Sequence, residues 1–280
     1  MNGGEDIAWC LRGHLVHRKR PLVMGIINIT PDSFYRKSRH GSVSDALRTA
    51  DRMLEAGASI LDVGGASSRP GSTELPEAEE RERVLPIVVA LAERFPGTLI
   101  SIDTWQAHIA ADAVAVGASM VNDISAGLMD PKMLGTVAGL RVPYVLMHMQ
   151  GTPRTMQRAP HYTDVLSEVV KFLSERVLAA RQAGIADVIV DPGFGFGKDR
   201  GHNFALLKGL RGIKALGVPV LVGLSRKRMI NEVLGTVPET ALNGTTVLNT
   251  IALQHGADIL RVHDVQEAVE AVKLLDAFAA

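Results

Sequence analysis

Apolar runs of strand length recur along this 280-residue chain, and longer segments with a different periodicity separate them. Each run is almost continuously apolar, as in a strand buried on both faces of a parallel sheet. The predicted strands are 22–30, 59–65, 98–104, 119–125, 142–149, 187–193, 219–225 and 259–265. The intervening segments, such as SDALRTADRMLEAG and TDVLSEVVKFLSERVLAARQAG, space their apolar residues at three and four, which predicts helices.

A weak internal repeat supports this alternation. The stretches AGASILDVGG, VGASMVNDIS and HGADILRVHD each place a glycine before a small residue and then a strand that ends in polar groups. Glycine tolerates the left-handed conformation that ends many helices, so Gly57, Gly117 and Gly256 are predicted helix-to-strand joints.

Eight strand–helix units without a long linker predict an α/β protein, a (β/α)8 TIM barrel formed by residues 1–280 as one domain. A Rossmann-type sheet would need a GxGxxG turn after its first strand, and the first strand here continues into Thr-Pro-Asp-Ser-Phe instead. Residues 7–20, before that strand, predict a hairpin that turns at Arg12-Gly13 and covers the N-terminal end of the barrel.

Composition narrows the class of protein. Thirty basic residues balance thirty acidic ones, which argues against a protein that coats nucleic acid or a membrane surface. Cys10 is the only cysteine, so it has no internal disulfide partner and belongs to no cysteine-based zinc motif. The N-terminus lacks the pattern of a signal peptide, and no apolar stretch has the length of a membrane span, so we expect a cytoplasmic protein.

Polar side chains are concentrated at the ends of the predicted strands, where a barrel of this kind carries its chemistry. One such residue is usually a cap or an ion-pair partner, but polar groups at all eight ends indicate a polar ligand. They are Asn28, Asp32, Asp62, Ser67, Ser68, Arg69, Asp103, Asn122, Asp123, His148, Asp191, Ser225, Arg226, Lys227, Arg261 and His263.

These groups form two chemical sets. Asp103, Asn122 and Asp191 suit a flat heterocycle rich in N–H donors, because a carboxylate can accept two N–H groups side by side. The cationic or potentially cationic Arg69, Arg261 and His263, together with the serine hydroxyls, suit phosphate oxygens. An asparagine beside them could supply a neutral oxygen ligand to Mg²⁺. The two sets predict an enzyme for a heteroaromatic substrate that carries a phosphate or diphosphate.

Other motifs are less informative. The stretch DPGFGFGKD lets the backbone approach a ligand closely, but its spacing is not that of a P-loop. No GxSxG elbow or Ser-His-Asp set is recognisable. His148 is as compatible with a core position as with catalysis.

The segments MGIINITPDSF, GGASSRPG, SIDT, VNDIS, DPGFGFGK, GLSRK and LRVHDV together resemble, in order, the signature segments of the dihydropteroate synthase family. The resemblance implies a (β/α)8 barrel, usually a homodimer and a sulfonamide target. It implies an Mg²⁺-dependent condensation of 6-hydroxymethyl-7,8-dihydropterin diphosphate with 4-aminobenzoate, which yields 7,8-dihydropteroate and pyrophosphate.

The resemblance also implies roles for individual residues. The pterin would bind to Asp103, Asn122, Asp191 and Lys227, with Ile124 and Met147 as further substrate contacts. Asn28 would meet Mg²⁺. The diphosphate would bind to Ser68, Arg69, Arg261 and His263, and 4-aminobenzoate would lie beside Phe34, Pro70, Phe196 and Lys227. Arg69, Lys227, Arg261 and His263 would stabilise charge during the reaction.

The chain departs from the family pattern at three positions. Arg36 stands where the family usually has a loop aspartate, Ala66 where many members have glutamate, and Arg228 where many have serine. Two alternatives stay open, and Arg36 is the one departure that supports either of them, namely the first. One is a pterin-binding paralogue without synthase activity. The other is a methyltetrahydrofolate:corrinoid methyltransferase, which would not need the diphosphate-binding residues.

Overall fold

A computed structural model describes residues 6–11, 14–19, 21–29, 39–66 and 75–279 of the chain. Within these ranges the predicted architecture is confirmed: eight parallel strands form a nearly closed barrel with helices between them, preceded by a two-stranded antiparallel sheet.

The N-terminal sheet is the predicted hairpin, although its turn at residues 12–13 lies outside the described residues. Strand β1 (Ile7–Leu11) pairs with β2 (His14–Arg18), and Trp9 lies opposite Val16. Ile7 and Trp9 alternate with exposed residues and pack into an apolar cluster with the first residues of the barrel strands, including Leu22 and Leu99. The hairpin therefore covers the N-terminal end of the barrel, as the sequence predicts.

The barrel strands are all parallel, and Val190 and Val220 form an isolated bridge between the two ends of the sheet. Their order in the sheet is β8-β7-β6-β5-β4-β3-β10-β9. The strands are β3 (Leu22–Asn28), β4 (Ile60–Gly64), β5 (Leu99–Asp103), β6 (Met120–Asp123), β7 (Tyr144–Met147), β8 (Val188–Asp191), β9 (Leu221–Val222) and β10 (Ile259–Val262).

Helices cover the outside of the barrel. They are α1 (Arg39–Glu55), α2 (Glu77–Arg94), α3 (Ala107–Ala115), α4 (Met133–Leu140), α5 (Val165–Gln182), α6 (Arg200–Lys208), α7 (Leu210–Lys214), α8 (Arg228–Leu234), α9 (Leu242–Gln254) and α10 (Val265–Ala279), with a 3-10 turn at Pro238–Thr240. Helix α5 illustrates the pattern: Asp164 caps its first turn, and Val169, Leu173 and Val177 are buried.

The three predicted glycine joints are confirmed. Gly57, Gly117 and Gly256 have φ values of 102°, 136° and 97°, a region that L side chains rarely adopt. Each glycine lies between the end of a helix and the start of the next strand, so the chain reverses there without strain.

The strands are shorter than the sequence predicts, chiefly at their C-terminal ends. The predicted strand 219–225 is in the ladder only at Leu221–Val222, with Val220 in the isolated bridge to Val190, and the residues after Val222 leave the strand. Ser125, His148, Ser225 and His263 thus lie in loops after the strands. The strands keep Asn28, Asp103, Asn122, Asp191 and Arg261. No helix in the described ranges combines the length and the apolar character that crossing a bilayer requires.

Candidate active site

Most of the predicted site residues line one pocket at the C-terminal ends of the strands. The structure brings together Asn28, Asp103, Asn122, Ile124, Met147, Asp191, Phe196, Lys227, Arg261 and His263. The other four predicted site residues, Phe34, Ser68, Arg69 and Pro70, lie outside the described residues, as does Arg36.

Arg261 on β10 is the centre of a buried ion-pair set. Its Nε donates to Asp62 Oδ2 and its Nη2 to Asp103 Oδ2, both at 2.6 Å. Although burial opposes the charge, Asp62 and Asp103 raise the pKa of the guanidinium, so it stays charged. The two contacts leave further N–H groups for a ligand, and they hold the plane of the guanidinium in one orientation.

Asp62 is the member of this set that the sequence counted among the polar groups at the strand ends but gave no role in the site. It lies fully buried in the middle of β4, and its Oδ2 also accepts a hydrogen bond from Asn122 Nδ2 at 3.1 Å. Its second oxygen, Oδ1, is buried without a partner among the described groups. The sequence signal for its role was a carboxylate between Leu61 and Val63 in an apolar strand. A buried charge costs much free energy unless it is paired, so a partner for Asp62 could have been expected.

The two carboxylates share one cation, which affects their protonation. Burial raises the pKa of Asp103 to about 7; Arg261 lowers it, and the neighbouring charge of Asp62 raises it. Asp103 therefore changes charge near neutral pH, whereas an ordinary aspartate would be fully ionised there.

Asp191 is the last residue of β8, and a backbone N–H of the following loop fixes its side chain. Its Oδ1 accepts a hydrogen bond from the Gly193 N–H at 2.7 Å, and the side chain is buried in the wall of the pocket. Burial raises the pKa of Asp191, while the Gly193 N–H and then the charges of Lys227, Arg261 and Lys198 lower it.

Lys227 and Phe196 line another side of the same pocket. The Lys227 ammonium lies 4.4 Å from the centroid of the Phe196 ring, a cation–π contact. Burial and then Arg261 lower the pKa of Lys227 to about 8, against the opposing effect of Asp191 and Asp103.

The turn that carries Lys227 depends on the preceding arginine. Arg226 has a φ of 56°, and its Nε and Nη2 bind the Asp264 carboxylate at 2.9 and 2.7 Å. Its backbone N–H donates to Thr245 Oγ1 at 3.0 Å. These contacts stabilise a left-handed backbone conformation that glycine usually adopts. They also pair the guanidinium of Arg226 with Asp264, so its role in the loop is structural. Arg228, one of the departures from the family pattern, pairs with Glu232 on its own helix.

His263 is held by Ser225. Its Nδ1 lies 2.9 Å from Ser225 Oγ, and its backbone N–H donates to the same oxygen at 3.2 Å. His263 is exposed to solvent, yet desolvation of its ring by the pocket groups around it and then the charge of Arg261 lower its pKa to about 4. The imidazole is thus a neutral hydrogen-bonding group at pH 7 in this structure, and Ser225 can direct its Nε2–H towards the pocket.

Asn28 is the last residue of β3 and lies exposed in the pocket wall. The described residues contain no cluster of three or more histidine, cysteine or acidic side chains that could hold a metal ion. Any cation in this part of the site would therefore take most of its ligands from a substrate and from water.

Comparison with known proteins agrees with this geometry. Residues 24–263 match the family model described as pterin binding enzyme. The chain is 45% identical over 268 residues to the dihydropteroate synthase of Escherichia coli (strain K12), and the matched residues cover 95% of this chain and 94% of that protein. It is 44% identical over 261 residues to the Haemophilus influenzae dihydropteroate synthase, covering 92% of this chain and 94% of that protein.

Solved structures give the same picture. Xanthomonas albilineans dihydropteroate synthase with 4-aminobenzoic acid superposes with a TM-score of 0.91, 44% identity and 99% coverage of both chains. The same enzyme in complex with 7,8-dihydropteroate superposes with a TM-score of 0.87 and 42% identity, covering 98% of this chain and 99% of that one. The Yersinia pestis dihydropteroate synthase in a sulfonamide complex has a TM-score of 0.91 and 41% identity, with the same coverage.

Proposed function

We propose a function from the premise that this chain belongs to the pterin binding enzyme family, and within it to the dihydropteroate synthases. The enzyme condenses 6-hydroxymethyl-7,8-dihydropterin diphosphate with 4-aminobenzoate, and the products are 7,8-dihydropteroate and pyrophosphate. One observation supports this reaction above the others: Asp103, Asn122 and Asp191 line the same pocket as the Arg261 guanidinium and the His263 ring, so acceptors for a heterocycle and donors for a diphosphate lie together.

The pterin ring is proposed to bind against the carboxylates and Asn122. Asp191 lies at the end of its strand with Oδ1 already on the Gly193 N–H, and its ionised form can accept the paired N–H groups of the aminopyrimidinone edge. Asp103, Asn122 and the Lys227 ammonium complete the contacts around the ring. Met147 and Ile124 supply apolar surface to the same pocket.

The diphosphate is proposed to bind to Arg261 and His263, with Ser68 and Arg69 as predicted contributors from the part of the chain that the structure does not describe. Arg261 retains unused N–H groups, and the carboxylates of Asp62 and Asp103 hold it in place before the substrate arrives. Such preorganised donors lower a barrier when charge grows on the group they face.

Mg²⁺ is proposed to bind at Asn28, and the residues present fit this ion. A single neutral side-chain oxygen beside a diphosphate is typical of Mg²⁺, which keeps several waters and binds mainly through phosphate oxygens. When bound, the ion would neutralise charge on the departing diphosphate.

The aromatic amine is proposed to lie beside Phe196 and Lys227, where Phe34 and Pro70 are predicted to join them. The C–O bond to the diphosphate breaks first and its electrons leave with pyrophosphate, while the electron-rich pterin stabilises the methylene cation. The amine nitrogen then forms the new C–N bond and loses one proton to solvent. Because an aromatic amine is uncharged at neutral pH, the reaction needs charge stabilisation on the leaving group more than it needs a general base.

We also propose that the enzyme is a homodimer. Val233, Leu234, Val237 and Val247 have between 49% and 56% of their surfaces exposed. Helices α8 and α9 are adjacent, since a Cβ built on Gly244 would lie 2.9 Å from Leu234 Cδ1. These side chains therefore form one apolar surface that a second copy would cover.

The decisive experiment is pyrophosphate release from the pterin diphosphate, measured with and without 4-aminobenzoate and Mg²⁺. Release that requires 4-aminobenzoate and yields 7,8-dihydropteroate is the expected result. Pterin binding without release would instead indicate the inactive paralogue. Methyl transfer from methyltetrahydrofolate to a corrinoid would indicate the methyltransferase.

A further inference from the structure

Lys198 is a buried cation to which the proposed reaction assigns no role. It follows β8 in the segment DPGFGFGKD, and only 2% of its surface is exposed. Lysine is almost never buried to this degree without partners, because its charge must leave water. Burial lowers the pKa of Lys198 to about 7, although the charge of Asp191 opposes that effect.

The partners of the Lys198 ammonium come from two neighbouring loops. Nζ lies 3.0 Å from the Gly193 carbonyl oxygen and 3.0 Å from that of Phe196, both in its own loop. It lies 2.8 Å from His148 Nδ1 and 3.4 Å from the His148 carbonyl oxygen, in the loop that follows β7. The ammonium therefore joins the loops after β7 and β8.

His148 can accept this hydrogen bond because its ring is neutral. Burial and then the charge of Lys198 lower the pKa of His148 to about 3, and the ring packs edge-on against Phe172 at a centroid distance of 4.8 Å. Nδ1 thus carries a lone pair for Lys198 at neutral pH. Of the two possibilities that the sequence left open for His148, a core position and a catalytic one, the structure shows the core position.

The loop that Lys198 contacts approaches the loop after β7 through its backbone. Gly193 and Gly197 have φ values of 69° and 64°, and added Cβ atoms would lie 1.9 Å from the His148 carbonyl oxygen and 2.6 Å from that of Gln150. The two backbones meet directly there. Phe194 is buried in the core, and Asn203, Gln157 and Tyr162 hydrogen-bond to the loop, while Lys198 is the donor that contacts both loops.

The same loop positions two groups of the proposed site. The Gly193 N–H donates to Asp191 Oδ1 at 2.7 Å, and the Phe196 ring lies under the Lys227 ammonium. We infer that Lys198 is a positioning residue for the synthase reaction: its ammonium, anchored on His148, holds the Gly193–Phe196 backbone so that the Asp191 carboxylate and the Phe196 ring meet the substrates. This inference rests on the proposed function.

The test measures pyrophosphate release as a function of 4-aminobenzoate and pterin diphosphate concentration. Lys198→Met keeps the length of the side chain and removes its donors. We expect the variant to fold, and its kcat/KM for 4-aminobenzoate to fall about tenfold or more, because charge-assisted hydrogen bonds that position the site are lost. His148→Leu should show a smaller loss of the same kind. His148→Asn should recover most of it, because the amide oxygen can accept from Lys198 at the position of Nδ1.

Leu91→Ala is the matched control for stability. Leu91 is buried near the C-terminal end of α2, and Ala92 beside it contacts the glycine joint before β6, at the opposite end of the barrel from the site. This variant should lose thermal stability with unchanged KM values. If Lys198→Met behaves like Leu91→Ala, or if His148→Asn is no better than His148→Leu, the positioning role is wrong. A wild-type protein without pyrophosphate release would instead overturn the proposed function.

Discussion

Asp62→Asn tests whether the Asp62–Arg261–Asp103 set controls the protonation of the site. The side chain keeps its shape and loses its charge, while Arg261 keeps Asp103 as a counter-ion. Asp62 binds Nε and Asp103 binds Nη2 of the same guanidinium, and we take the separation of the two charges as roughly 6 Å. At an effective dielectric constant of about 20, two unit charges at that distance repel by about 3 kcal/mol. That energy corresponds to a change of about two in the pKa.

The pKa of Asp103, about 7 in the wild-type protein, should therefore fall by up to about two in the variant. In the proposed site the ionised form of Asp103 accepts N–H groups of the pterin, so wild-type affinity for a pterin without diphosphate should weaken as the pH falls through about 7. In Asp62→Asn this weakening should begin at a lower pH. Isothermal titration calorimetry between pH 5 and pH 9, in buffers of matched ionic strength, gives both curves, with the titration of the free pterin measured separately.

Two control variants accompany this experiment. Asp103→Asn should remove the part of the pH dependence that Asp103 causes and leave the part that Lys198 and Lys227 contribute. Asp112→Asn removes a charge of the same type from the surface of α3, where Asp112 pairs with Arg81, and it should leave the curve unchanged. If Asp62→Asn and the wild-type protein give superimposable curves, Asp62 does not act on Asp103 and the reasoning fails.

Three further predictions concern the pterin, the leaving group and the dimer. Asp191→Asn should weaken binding of a pterin without diphosphate by about tenfold or more, because the amide presents a donor to the ring N–H groups; equal affinity by calorimetry would contradict the assignment. His263→Ala should lower kcat by about 100-fold in a steady-state assay and change the affinity for that pterin little. Ser225→Ala should show part of the same loss in kcat. A loss of pterin affinity without a loss of kcat would contradict the role of His263 at the leaving group. Leu234→Glu should convert the proposed dimer to monomers in sedimentation analysis, and a variant that sediments like the wild-type protein would contradict the proposed interface.

Arg261→Ala would be a poorer test of the leaving group than the sequence suggests. The sequence places Arg261 with the diphosphate, but the structure also makes it the shared cation of Asp62 and Asp103. Its removal would leave two buried carboxylates facing each other, which costs stability and disturbs the pterin contacts. His263 therefore separates chemistry from binding more cleanly.

The sequence by itself determined the architecture and the end of the barrel at which the candidate site lies. The near-continuous apolar strands, the helical spacing between them and the three glycine joints all follow from local backbone and side-chain preferences, and the structure contains each of them. The concentration of polar residues at strand ends also identified the pocket, because the C-terminal ends of parallel strands meet at one face of a barrel. The strands were predicted too long at their C-terminal ends. A polar residue after an apolar run does not show at which residue the pairing with the neighbouring strands ends.

Only the tertiary structure decided which of these polar groups act on one another. Arg261 meets Asp62 and Asp103 across separations of 199 and 158 residues, and Lys198 meets His148 across 50. Such contacts depend on the register between strands and on the closure of the sheet, and no local pattern encodes either of them. For the same reason the sequence could group Arg261 and His263 as cations, while their surroundings in the folded chain keep Arg261 charged and leave His263 neutral.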